Sequence, residues 1–171
     1  MVYLNKWDDA VIVALGSNLA GVYPSSRALL EAAVARLSET GLAVTHRSRW
    51  WRSSAWPDRT APDYLNGIVV VETRLSPKAT MEGLLNLEAS FGRERGQPNA
   101  PRTLDLDLIA FGRLVMVEKD LILPHPRAFD RCFVMGPLAE VAPDWCDPVE
   151  GCSAADLARR AAIGADTRIE P

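Results

Sequence analysis

Hydrophobic and polar positions along the chain fall into blocks whose spacing switches between strand-like and helical. Ala10 to Leu15 is a short apolar run of β character closed by Gly16-Ser17-Asn18, which predicts a buried strand and a turn. After Pro24-Ser25-Ser26, the residues Leu29, Leu30, Ala33, Val34 and Leu37 recur at helical spacing, and Gly41 marks the stop. Leu42 to Trp51 reads as a second strand, and Arg52 to Pro62, rich in Ser, Pro and Asp, as a loop. Tyr64 to Thr73 holds Ile68-Val69-Val70-Val71, a third strand. Ser76-Pro77 opens a second helix with proline at its first position; Met81, Leu84, Leu85 and Leu87 carry its apolar face to Phe91, and Gly92 ends it. Arg93 to Pro101 is polar, with Gly96 and Pro98, and predicts a loop. Thr103 to Phe111 alternates and predicts a fourth strand, with a short hairpin around Gly112-Arg113.

The order β-α-β-β-α-β predicts an α+β fold, a ferredoxin-like sandwich whose antiparallel sheet carries its helices on one face. A C-terminal extension follows, in which residues after about 151 form an Ala/Arg-rich tail, helical in part. No repeat or linker divides the 171 residues, so one domain is expected. The composition, 48% apolar and 24% charged, is that of an ordinary globular protein. A net charge of -3 argues against a nucleic-acid partner, which needs a basic footprint. Cys132, Cys146 and Cys152 make neither a disulfide framework nor a zinc spacing, and a reduced cytoplasmic setting is expected. The N-terminal residues do not read as a signal peptide. No apolar run reaches the roughly 18 residues of a membrane helix, so no membrane partner is expected.

The sharpest local feature is Arg102-Thr103-Leu104-Asp105-Leu106-Asp107-Leu108. In a strand, Leu104, Leu106 and Leu108 enter the core, while Asp105 and Asp107 share the opposite face, roughly 6 to 7 Å apart. Two such carboxylates repel each other, and a divalent cation relieves that repulsion; Mg²⁺ favours a few carboxylates together with phosphate oxygens. Ordinary alternation with a solvated polar face explains the same spacing. Arg93, Arg95 and Arg102 lie close by in sequence, with His125, Arg127 and Arg131 farther on, and guanidinium forks suit phosphate oxygens. Together these suggest phosphoryl transfer; a set of surface ion pairs is the plain alternative. Trp56, Tyr64, Asn66 and Phe133 suit a flat heterocycle, by stacking and by an amide edge, although aromatics more often simply pack in cores. Neither common phosphate loop occurs, there is no Gly-x-Ser-x-Gly nucleophile, and His46 reads as structural or surface. A non-catalytic binding module would need neither the paired acids nor the arginines, and an RNA-binding sheet would need a basic balance.

Several segments together resemble one family, 6-hydroxymethyl-7,8-dihydropterin pyrophosphokinase: Ala14 to Leu19, Pro62-Asp63-Tyr64-Leu65-Asn66, Pro101 to Asp107, Leu123-Pro124-His125-Pro126, Phe133 with Pro137-Leu138, and Ala142-Pro143. The resemblance covers about residues 10 to 147. It implies that Asp105 and Asp107 bind two Mg²⁺ ions and that Arg93 and Arg102 meet the phosphates during transfer. It also implies that Glu88, Arg95, His125 and Arg131 lie on the ATP side. Tyr64, Asn66 and Phe133 would hold the pterin, Phe133 by stacking. Ser53-Ser54-Ala55-Trp56 stands where members carry a Thr-Pro-Pro-Leu-like stretch, so Ser53 and Trp56 would form an altered pocket wall. Pro98-Asn99-Ala100 stands where many members have Arg-Trp-Gly, and Asp120 where an Arg often contacts ATP. The implied reaction moves a diphosphate from ATP to the pterin hydroxymethyl group, giving AMP, in folate synthesis. A monomer acting on these two small molecules is expected.

Overall fold

The computed structural model describes residues 5–55, 58–93 and 102–171. The first apolar run forms β1 (Val11–Ser17), and its side chains divide between two cores: Val11, Val13 and Leu15 enter one, Ile12 the other. Helix α1 (Ser26–Arg36) starts where the Ser25 hydroxyl accepts the Ala28 N–H, and a tight 3-10 turn, Leu37–Thr40, ends at left-handed Gly41. Helix α2 (Pro77–Ser90) is capped in the same way by Ser76, with Pro77 opening its first turn. Leu29, Leu30, Leu37 and Leu84 are fully buried against the sheet, each contributing about 1.5–3 kcal/mol of apolar transfer.

Strand β1 lies between β4 (Tyr64–Glu72) and β5 (Asp105–Phe111), antiparallel to both. The predicted second strand is two. β2 (Ala43–Arg47) and β3 (Trp51–Ser53) both pair antiparallel with β4. The break has a physical cause at residues 48–50. The Ser48 hydroxyl accepts the Ile68 N–H at 2.9 Å, and the buried Trp50 ring lies over Gly67, where a Cβ would stand 2.6 Å from the ring. Arg52 and Ser53, expected in a loop, are therefore strand residues. After β5, the turn at Gly112 leads to a separate hairpin of β6 (Met116–Glu118) and β7 (Leu121–Leu123), so the hairpin forms later than the sequence suggests.

The larger departure is on the second face of the sheet. Helices α3 (Cys132–Val141) and α4 (Ala154–Arg160) pack there: Val134, Met135, Leu138, Trp145 and Leu157 bury Ile12, Ile68, Val70 and Ile109. Helices thus cover both faces, not one. The tail contributes α4 and then returns to the sheet as β8 (Arg168–Ile169), paired with β3. The sheet order is β5-β1-β4-β3-β8, with β2 also on β4. Among the described residues, no helix is long and apolar enough to cross a membrane.

Candidate functional site

The face of β5 that carries Asp105 and Asp107 continues into Ile109, which belongs to the α3/α4 core. The paired registers put Gly16 opposite both Asn66 and Asp105. A Cβ on Gly16 would stand 3.3 Å from Asn66 Oδ1 and 4.0 Å from Asp105 Cβ, so these three residues form one row across β4, β1 and β5. Gly16 and Asn66 in this row are buried, while Asp105 and Asp107 on β5 are partly exposed.

The two acids have different surroundings. Asp105 Oδ1 accepts from Arg93 Nη1 at 2.5 Å and its Oδ2 from Arg102 Nη1 at 2.8 Å. Guanidiniums from both sides thus neutralise Asp105. Among the described residues, Asp107 pairs with Arg131 alone, 4.0 Å away. Burial, then the charge of Asp105, push the Asp107 carboxyl above its ordinary range, while His125, Arg131 and Arg93 pull it back. Burial holds the His125 imidazole below its usual value, with Asp107 pulling the other way. A cleft of about 270 Å³ beside them is lined by Asp107, His125, Lys119, Asp120, Leu121 and Met81. Sequence reasoning missed Lys119; its only signal was a charged turn, Lys119-Asp120, between two short apolar strands.

Glu88 lies beneath this row. Its side chain is 3% exposed. It accepts the Leu106 N–H of edge strand β5 at 2.6 Å and also pairs with Arg93. Burial pushes its carboxyl up to about 7, against the Leu106 N–H and the Arg93 charge. The unfolded chain, with an ordinary Glu88, releases this proton first, so this group's contribution to stability falls as pH rises from about 4.5 to about 7. The melting-temperature difference between wild type and Glu88→Gln should therefore move in favour of wild type as pH is lowered from about 8 to about 5. A difference constant across that range, measured by thermal melts, would contradict the assignment.

On the β4 side, the Asn66 amide donates to Ser53 Oγ at 3.0 Å, both side chains buried. Tyr64 is half-buried; burial raises its hydroxyl pKa, and the charges of Arg102, Asp105 and Arg93 also reach it. The Arg131 guanidinium sits 5.7 Å from the Phe133 ring centre at the start of α3. Asn18 fixes the approach to β5: its Oδ1 accepts the Arg102 N–H at 2.8 Å and its own N–H donates to the Arg102 carbonyl at 3.2 Å. The structure thus gathers Arg93, Arg102, Asp105, Asp107, Glu88, His125, Arg131, Tyr64, Asn66, Ser53 and Phe133 around one end of the sheet. Trp56 and Arg95 lie outside the described residues. His46 is exposed, edge-on to Trp7.

Residues 12–143 match the family model for 7,8-dihydro-6-hydroxymethylpterin-pyrophosphokinase (HPPK). A 2-amino-4-hydroxy-6-hydroxymethyldihydropteridine pyrophosphokinase of Synechocystis sp. is 43% identical over 141 residues, 82% of this chain and 70% of the relative. One from Methylorubrum extorquens is 37% identical over 77% of this chain and 82% of its own length. Among solved structures, Plasmodium falciparum HPPK-DHPS with pteroate superposes with a TM-score of 0.69 at 11% identity. That similarity covers 88% of this chain and 42% of the other, and it speaks for the fold alone. Matches of this extent place the chain among the pyrophosphokinases, which are transferases. It belongs to the 7,8-dihydro-6-hydroxymethylpterin-pyrophosphokinase family.

Proposed function

We propose that this chain transfers the diphosphate of ATP to the hydroxymethyl group of 6-hydroxymethyl-7,8-dihydropterin, a step of folate synthesis. The observation that carries this reading is the row Asp105-Gly16-Asn66, with Asp107 two residues along β5 from Asp105. Carboxylates and arginines for a polyphosphate stand at one end, and a buried amide for a heterocycle edge at the other. The pterin hydroxyl oxygen attacks the β-phosphorus and gives up its proton to solvent, the bond from that phosphorus to the α–β bridging oxygen breaks, and AMP leaves with that oxygen and its electron pair.

The donor set fits Mg²⁺. Asp105 and Asp107 offer hard carboxylate oxygens on one strand face, and the repulsion between them is what a divalent cation relieves. Bound there, Mg²⁺ would neutralise phosphate charge and lower the barrier to attack. The protein's own groups do the rest. Arg93 and Arg102, parked on Asp105, are free to turn to phosphate oxygens once the carboxylate is otherwise neutralised. Lys119 and His125 line the cleft next to Asp107 and are proposed to receive the nucleotide, with Arg131 between that cleft and Phe133. Glu88 holds Arg93 and β5 from below. Asn66, oriented by Ser53, and Phe133 are proposed for the pterin edge and face.

The strand order β5-β1-β4, with β2 and β3 both on β4, supports reading the core as a ferredoxin-like sandwich that carries an added helix layer. One domain acting as a cytoplasmic monomer completes the proposal. The test is product analysis: ATP and the reduced pterin should yield AMP only when Mg²⁺ is present. ADP as the product, or AMP formation indifferent to the metal, would overturn it.

A further inference from the structure

The family match ends at residue 143, yet the chain beyond it returns to the proposed pterin residue Phe133 and to Ser54, the neighbour of Ser53. After α4, the Ala162 and Ile163 N–H groups donate to the Asp130 carbonyl at 3.1 and 2.8 Å. The Cys132 N–H donates to the Ile163 carbonyl at 2.8 Å, which fixes the start of α3 just before Phe133. Gly164 then lies against the Phe133 ring. Its φ is +78°, and a Cβ there would stand 2.8 Å from Phe133 Cδ1 and 3.4 Å from Cε1. Only glycine combines that backbone conformation with that approach.

The same segment also grips the other wall. Asp166 Oδ2 accepts the Ser54 N–H at 2.8 Å, beside the buried Ser53 that orients Asn66. β8 pairs with β3 in the register Trp51↔Ile169 and Arg52↔Arg168. Arg52 forks onto Glu170, with Nε at 2.5 Å and Nη2 at 2.6 Å. One stretch, Ala162 to Glu170, thus ties the Phe133 ring to the Ser53-Ser54 wall.

We propose that this stretch is a positioning element of the pterin pocket, setting the gap between the Phe133 ring and the Ser53-Ser54 wall, with Gly164 as its critical contact. Pressing on the ring edge tilts the stacking face without touching the acids or the nucleotide cleft. The proposal rests on the pterin role of Phe133, and the experiment separates the two.

Steady-state kinetics of the full chain would compare wild type, Gly164→Ala and Phe133→Ala with 6-hydroxymethyl-7,8-dihydropterin and ATP varied in turn. Gly164→Ala should raise KM for the pterin about fivefold, the equivalent of about 1 kcal/mol, with KM for ATP nearly unchanged. A purely structural role would lower the active fraction, and with it the apparent kcat, while leaving both KM values unchanged. If Gly164→Ala melts below the assay temperature, Asp166→Asn decides, with a rise of about twofold to threefold expected in the pterin KM alone. Equal shifts for both substrates, or no shift in the deciding variant, would overturn the proposal while Phe133→Ala still weakens the pterin. A Phe133→Ala enzyme with an unchanged pterin KM would instead remove the reading beneath it.

Discussion

Replacing Asp107 with alanine is expected to cut turnover on the order of a thousandfold, while the melting temperature stays level or rises. The first effect follows from the loss of one of two anionic ligands for a cation whose charge stabilisation is worth several kcal/mol, at about 1.4 kcal/mol per tenfold in rate. The second follows from the environment of the side chain. Burial and the neighbouring Asp105 already disfavour the Asp107 carboxylate, so its folded-state pKa is raised and the charge opposes folding above that value. Arg131 is too far away, at 4.0 Å, for a close hydrogen-bonded pair. Asp105→Ala should be as inactive but less stable, because it strands Arg102 and leaves Arg93 on Glu88. AMP formation at saturating Mg²⁺, alongside thermal melts of both variants, checks the pair. An Asp107→Ala enzyme within about tenfold of wild type would exclude the metal role, as tenfold is only one 1.4 kcal/mol increment.

Arg102→Ala should slow the chemical step by at least about tenfold, roughly 1.4 kcal/mol of barrier, with a smaller change in ATP affinity. The substitution is a clean one. The Arg102 backbone is held independently of its side chain, through Asn18 and the Leu19 N–H at 3.1 Å, so the approach to β5 should survive. What disappears is a partly buried guanidinium beside Asp105, placed to meet charge that grows on the transferring phosphates. Arg93 is a poorer subject, because removing it also uncovers Glu88. Quenched-flow single turnovers would show the effect directly. An unchanged chemical step with weakened ATP binding would reassign Arg102 to substrate binding.

The strand that bears the acids was readable from the sequence because its alternation is strict. Leu104, Leu106 and Leu108 are all buried in one core, as their spacing required. Both long helices were readable from their serine caps and leucine spacing. The second helix layer was not, since α3 carries an internal proline, Pro137, and α4 is only seven residues long. A signal was nevertheless present. Val11 to Leu15 and Ile68 to Val71 are apolar at every position rather than at alternate ones, which marks strands buried on both faces. The break at Ser48–Trp50 and the inward turn of Glu88 depend on contacts between residues about 20 positions apart, and local pattern carries no trace of them.

The short strand β8 has a consequence for solution behaviour as well. β3 would otherwise end this side of the sheet with the main-chain groups of Trp51 and Arg52 open, a ready template for another chain to add itself. Two residues of the returning chain occupy those groups, and the Glu170 N–H extends the cover to the Trp50 carbonyl at 2.8 Å. A short, charged strand of this kind shields an edge while offering almost no new one. Loss of the segment would therefore leave the protein prone to self-association, and clouding of concentrated samples would report it before any assay of catalysis.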